Sequence, residues 1–147
     1  MSSVSTRRVL RMLVDTNVIL DVALDRAPWA SAAVLLFDAI GRGNARGFVA
    51  AHAVSTVHYL VEKQSGRVIA NSALSDLLEL LTVVALDGND FRRALGMDLP
   101  DYEDAVQVAA CLKCGADFLV TRNAKDFKGS PAKIASPGEV VSVLAQG

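Results

Sequence analysis

Apolar runs too short to be helices alternate along this chain with segments of helical period, and that alternation leaves few folds open. Val9–Val14 (VLRMLV), Gly47–Ala51 (GFVAA), Thr82–Leu86 (TVVAL) and Asp117–Thr121 (DFLVT) read as strands. They are mostly apolar rather than strictly alternating, as strands buried on both faces of a parallel sheet are. Between them the spacing predicts helices. Asp15, Val18, Ile19 and Val22 start one, and Trp29–Ile40 forms another that Gly41 and Gly43 end. Ala53–Lys63 and Val68–Leu81 follow, divided by a turn at Gln64–Gly66, then a short helix over Asp90–Leu95. Asp101–Cys114 is the strongest, with an apolar stripe of Ala105, Val108, Ala109 and Leu112. Lys133–Ala135 adds a short edge strand. Ser136–Pro137 opens a last helix, Ser as N-cap and Pro in the first position. The order implies an α/β fold, a mainly parallel sheet of four to five strands covered by helices on both faces.

Size and charge narrow the function. The chain has 147 residues, about one domain. Residues 9–147 are expected to form it, with residues 1–8 as a loose N-terminal extension. Hydrophobic residues make up 52%, which excludes disorder for most of the chain. Fifteen Lys and Arg against sixteen Asp and Glu exclude a non-specific nucleic-acid glue, which needs a strongly basic surface. Two cysteines build neither a disulfide scaffold nor a four-ligand zinc site. No run approaches the ~18 apolar residues of a membrane span, and no targeting segment is evident. The chain reads as cytoplasmic.

Ligand sites of open parallel sheets lie at the carboxyl ends of the strands. Three acidic or amide clusters fall there or at helix starts: Asp15 with Thr16 and Asn17; Asp101, Glu103 and Asp104; Asn123 and Asp126. Asp101 and Asp104 are three apart and share a helix face. Gathered carboxylates repel one another unless a cation sits among them. Oxygen donors without Cys or His suit Mg²⁺ or Mn²⁺, which polarise a phosphoryl oxygen and activate water. Each acid also has a plainer reading. Asp15 can cap a helix, Asp101 and Asp104 can resemble a capping box, and Asp126 can be an ordinary loop residue.

Leu13-Val14-Asp15-Thr16-Asn17-Val18, the run Asp101-Tyr102-Glu103-Asp104-Ala105-Val106-Gln107-Val108-Ala109-Ala110, and Leu119-Val120-Thr121-Arg122-Asn123-Ala124-Lys125-Asp126-Phe127 together resemble a PIN domain. Ser136-Pro137-Gly138-Glu139 resembles the start of that family's last helix. The ordered set most resembles the small prokaryotic members, many of them VapC-type toxins paired with an antitoxin. The resemblance implies a three-layer α/β/α fold and a Mg²⁺- or Mn²⁺-dependent endoribonuclease. It implies Asp15, Asp104, Asn123 and Asp126 as catalytic residues. Asp15 and Asp104 would be metal ligands, and Glu103 and Asp101 are further acids beside them. Thr16, Asn17, Thr56 and Thr121 would orient those ligands. Many family members carry a Glu where Thr56 stands and often an Asp where Asn123 stands, so this chain's site has fewer formal charges. RNA, an antitoxin protein and a second copy of the chain are the implied partners.

Arg122, Lys125 and Lys128 surround the third cluster, where they suit phosphates or are simply solvated; Arg122 and Lys125 are the candidate substrate contacts. Arg42, Arg46, Lys63 and Arg67 form another positive stretch. Cys111 and Cys114 form a CxxC near a helix end and read as core thiols. His52 and His58 match no zinc spacing. Trp29, Phe37, Tyr59 and Tyr102 are scattered and outline no base-stacking platform. Two other functions fit the pattern: a non-catalytic PIN scaffold that binds protein or RNA, and a phosphoacceptor receiver-like domain using Asp15, Asp87 and Thr121.

Overall fold

The computed structural model describes residues 9–146; the extension expected at residues 1–8 lies outside them. The elements are β1 (Leu10–Val14), α1 (Thr16–Ala23), α2 (Ala30–Gly41), β2 (Ala45–Ala50), α3 (Ala51–Ser65), α4 (Arg67–Leu80) and β3 (Thr82–Val84). Then come α5 (Gly88–Leu95), α6 (Tyr102–Lys113), β4 (Phe118–Val120), a 3-10 turn over Ala124–Phe127, β5 (Ile134–Ala135) and α7 (Pro137–Gln146). All five strands are parallel, in the order β3-β2-β1-β4-β5. The expected three-layer α/β/α arrangement is present.

Alternation along the strands sorts the two faces. Met12, Val14, Val49 and Val120 enter one core with residues of α1, α2, α3, α4 and α7. Leu13, Phe48, Ala50 and Leu119 enter the other with Val108, Ala110 and Cys111 of α6 and with Phe127. The central strand β1 is fully buried at Met12, Leu13 and Val14, so its carboxyl end is the best-anchored point of the sheet.

Boundaries differ where pairing outweighs local pattern. β2 starts at Ala45, two residues before the expected Gly47, because Leu10 pairs with Ala45 and Arg11 with Arg46. Both guanidiniums lie over the Phe48 ring, at 4.6 and 5.7 Å. Their stems thus cover apolar surface, although Arg46 reads as loop in the sequence. β3 ends at Val84, where its pairing with Ala50 stops. The 3-10 turn is four residues long and has no periodicity to read. The last helix begins as expected: Ser136 Oγ accepts the Glu139 N–H at 3.1 Å, and Glu139 Oε1 accepts the Ser136 N–H at 2.9 Å. That is a reciprocal capping box.

Gly47 sits where β2 passes beneath α2 and the end of α4. A Cβ there would run into Leu81 Cδ2 and lie 2.8 Å from Ile40 Cδ1. Gly47→Val is expected to lower stability by about 1–3 kcal/mol through overpacking. Urea unfolding checks it: the midpoint falls, and the slope stays unchanged.

Candidate active site

The register builds the site. Val14 pairs with Val120, so Asp15 and Thr121 leave the sheet side by side. Asp15 does cap α1, with Oδ1 accepting the Thr16 N–H at 2.7 Å. Capping does not exhaust it. Oδ2 accepts the Thr121 hydroxyl at 2.8 Å, and Oδ1 also accepts the Gln107 amide at 3.2 Å. The carboxyl is buried, which pushes its pKa up; the Thr121 and Thr16 hydrogen bonds oppose this, and Glu103 and Asp126 reinforce it.

Thr121 is the hub. Its Oγ1 donates to Asp15 and accepts from Asn17 Nδ2 at 3.3 Å and from the Asn123 N–H at 3.1 Å. Gln107 also donates to Thr16 Oγ1, at 3.2 Å. Gln107 escaped the sequence reading. The signal was a lone amide inside the apolar run AVQVAAC, three residues after Asp104 and therefore on its face.

Asp101 caps α6, its Oδ1 accepting the Asp104 N–H at 3.1 Å. The reciprocal half of a capping box is not made, so the Asp104 side chain is not spent on the cap. Its carboxyl is pushed up to about 7, first by burial and then by the negative charges of Asp101, Asp15, Asp126 and Glu103. Five carboxylates from three separate segments therefore stand within electrostatic reach of one another. The buried acceptor oxygens Oδ1 of Asn17 and Oε1 of Gln107 have no donor.

This donor set fits a hard divalent cation. Among the described residues, no three His, Cys, Asp or Glu side chains stand together as a ready-made cage. Mg²⁺ does not need one, since it keeps several waters and takes one or two carboxylates plus substrate phosphate. A divalent cation here would meet the carboxylate oxygens of Asp15 and Asp104, with Asp101, Glu103 and Asp126 nearby.

The remaining candidates are placed less centrally. The Asn123 side-chain amide has no partner among the described residues; only its backbone joins the network. Thr56 Oγ1 donates to the His52 carbonyl at 3.2 Å, one turn back in α3, and makes no hydrogen bond to the Asp15 network. His52, at the start of α3, has both ring nitrogens buried and unpartnered; burial lowers its pKa and nearby Glu103 opposes this. His58 instead bonds Asn71 at 2.7 Å, joining α3 to α4. Lys125 is exposed, without an ion-pair partner among the described residues. Arg122 is engaged: its Nε donates to Asp21 Oδ2 at 2.8 Å, and its guanidinium lies 4.0 Å over the Trp29 ring. Asn17 and Asp21 are four apart on α1, so one helix face holds Thr121 and Arg122 in succession.

Two other features stand apart from this network. Cys111 and Cys114 are free thiols, and burial pushes Cys111 up to about 12. Asp87 caps α5 through the Asn89 and Asp90 N–H groups and follows edge strand β3, two strands from Asp15.

The PIN domain family model matches residues 11–125. The chain belongs to the PIN domain family. The matched span holds every candidate acid except Asp126, one residue beyond it. Among curated proteins the sequence has no match. Solved structures share the fold at low identity. VapBC from Salmonella typhimurium, bound to DNA, has a TM-score of 0.67 at 15% identity, over 88% of this chain and 99% of that one. A toxin–antitoxin complex from Klebsiella pneumoniae has a TM-score of 0.64 at 22% identity, over 86% and 97%. Mycobacterium tuberculosis VapC20, a sarcin–ricin loop cleaving toxin, has a TM-score of 0.59 at 15% identity, over 74% and 86%. PIN membership sets aside the receiver-like reading, in keeping with the position of Asp87. No helix among the described residues is long and apolar enough to cross a membrane.

Proposed function

We propose that this PIN domain, carried by residues 9–147 as one unit, is a Mg²⁺- or Mn²⁺-dependent endoribonuclease. We further propose that it is the toxin half of a cytoplasmic toxin–antitoxin pair. The observation that supports the chemistry is the convergence of Asp15, Asp101, Glu103 and Asp126, from three segments of the chain, on Asp104, whose carboxyl burial and their charges push up. A protein does not gather such charge without a counter-ion or a proton. The pairing with an antitoxin is supported by the VapBC and toxin–antitoxin assemblies among the structural neighbours. A homodimer is part of the same reading.

Asp15 and Asp104 would hold the cation, and Asp101 and Glu103 add negative charge beside them. When bound, such an ion polarises a phosphoryl oxygen and makes water a nucleophile near neutral pH. Thr121, Thr16 and Gln107 fix the Asp15 carboxylate so that its orientation is set before the ion arrives. Thr121 also bonds the Asn123 backbone, linking that loop to Asp15. Asn123 and Asp126 would orient the attacking water by hydrogen bonds. Lys125 and the Nη groups of Arg122, unpaired among the described residues, would offer positive charge to backbone phosphates.

Cleavage of a pool of structured and single-stranded RNAs tests this reading. Mn²⁺-dependent cutting by wild type, lost in Asp104→Asn and with chelator, is the expected result. A non-catalytic scaffold is the second reading, favoured by the neutral side chains of Thr56 and Asn123. Mn²⁺ binding without cutting of any RNA, or no Mn²⁺ binding, would point to it.

A further inference from the structure

Asp21 and Trp29, eight residues apart, both meet Arg122, the residue that follows Thr121. Asp21 is buried, with 1% of its surface exposed, yet it sits within the apolar run ILDVAL of α1. Its Oδ2 accepts from Arg122 Nε at 2.8 Å, and Arg26 Nη1 lies 3.9 Å from its Oδ1. The guanidinium so fixed lies 4.0 Å over the indole of Trp29. Trp29 keeps 45% of its surface exposed, at the head of α2. With Arg26 counted, two guanidiniums share one carboxylate here, so one positive charge is left over.

These features do not serve stability well. A buried carboxylate paired with arginine is poor evidence for stabilisation, because desolvation offsets the attraction. A half-exposed tryptophan adds little to a core. What the arrangement does provide is a flat π-surface whose neighbouring cation cannot swing away. Arg122 spends only Nε on Asp21; neither Nη nitrogen has a protein partner among the described residues. The next residue toward the sheet is Thr121, which holds Asp15. The platform is therefore tied to the metal-binding acids through one peptide bond.

We propose that Trp29 and Arg122 form a nucleobase-binding subsite for single-stranded RNA, one that fixes the nucleotide neighbouring the cleaved phosphate. The base would stack on the indole face turned away from the guanidinium, and the Nη groups would donate to the adjoining phosphate. Aromatic and guanidinium planes are the usual partners of unstacked bases. The subsite rests on the ribonuclease reading above, which it extends to substrate class and positioning. Its residues were invisible as a group in sequence, since Trp29 and Arg122 are far apart along the chain.

Trp29 is the chain's single tryptophan, so its emission reports on this subsite alone. We would titrate short poly(U) and poly(A) oligoribonucleotides into the full chain, with Ca²⁺ in place of Mn²⁺ to slow cleavage. Trp29 emission and the anisotropy of an end-labelled oligonucleotide would be read in parallel, and Mn²⁺ affinity measured separately. Saturable quenching with the same midpoint as the anisotropy change is expected. Trp29→Ala should weaken binding about tenfold, the loss of one stacked base. Arg122→Lys, which keeps the charge and loses the plane, should weaken it less. Binding that leaves Trp29 emission unchanged overturns the proposal, as does failure of every oligonucleotide to bind. If Mn²⁺ still binds in either case, the subsite fails while the metal reading stands. The wild-type quenching arm does not depend on any variant folding.

Discussion

Asp104→Asn will melt at a higher temperature than wild type at pH 8 in chelator. The sign follows from the direction of the shift. The folded protein raises the Asp104 pKa from 3.8 to about 7, while the unfolded chain keeps the ordinary value. Between those values the folded state binds more protons, so stability falls as pH rises through this window. Below about pH 4 both states are protonated and the penalty is absent; above about 7 it is complete. Asparagine never carries the charge and keeps the backbone N–H that Asp101 accepts. Solvent reaches part of Asp104, so the full shift overstates the energy; about 1–2 kcal/mol is the expected gain, roughly 2–8 °C. Melting curves of both proteins from pH 4 to pH 8 check this. The gap should open between pH 4 and 7 and close, for wild type, when Mn²⁺ is added. A variant that is less stable at every pH would contradict the account of Asp104 as a charge held for a cation.

Thr121→Val should be severely destabilising, although the two side chains have nearly the same shape. The hydroxyl donates to a buried carboxylate and accepts two further hydrogen bonds, from Asn17 and the Asn123 backbone. Removing it leaves Asp15 Oδ2, the Asn17 amide and a backbone N–H short of a partner together. A hydrogen bond to a charged group is worth about 1.5–3 kcal/mol, and an unsatisfied buried group costs about 1–3. We expect a loss of about 3 kcal/mol, with Thr121→Ser recovering most of it. Denaturant unfolding measures both variants. A small loss in Val with a larger one in Ser would show that the methyl packing, not the hydroxyl, matters at this position.

The layers of the fold were legible because each strand of the central sheet is an apolar run ending at a polar residue. β1 is the clearest: VLRMLV stops at Asp15, and Asp15 opens a helical period. The start of β2 was hidden, since Asn44 and Arg46 look like loop. Only the register with β1 and the shared Phe48 ring make Ala45 and Arg46 a strand. The acids of the site were legible one by one as residues that break an apolar pattern at a strand end or helix head. Their convergence was not, because it depends on strand order. β4 lies next to β1 although about a hundred residues separate them, and that neighbourhood alone brings Thr121 to Asp15.

The supporting residues were legible only in part. Asp21 and Gln107 each stand alone in an apolar run, and a polar residue in such a place needs a partner. The sequence does not say which. Asp21 faces Arg122 because it is one helical turn below Asn17, which faces Thr121. In sequence Arg122 reads as a phosphate contact or a solvated charge; the structure adds that its Nε bonds Asp21 and its plane lies on Trp29. The family pattern alone points to Thr56, whose hydroxyl bonds the His52 carbonyl of its own helix.

The proposed cation site lies among the acids around Asp15 and Asp104. Calorimetric titration of Mn²⁺ into wild type, Asp15→Asn and Asp104→Asn tests it most directly, with melting curves confirming that each variant is folded. The account predicts saturable binding to wild type that both folded variants lose. Binding that survives in both variants, or no binding to wild type, would contradict it.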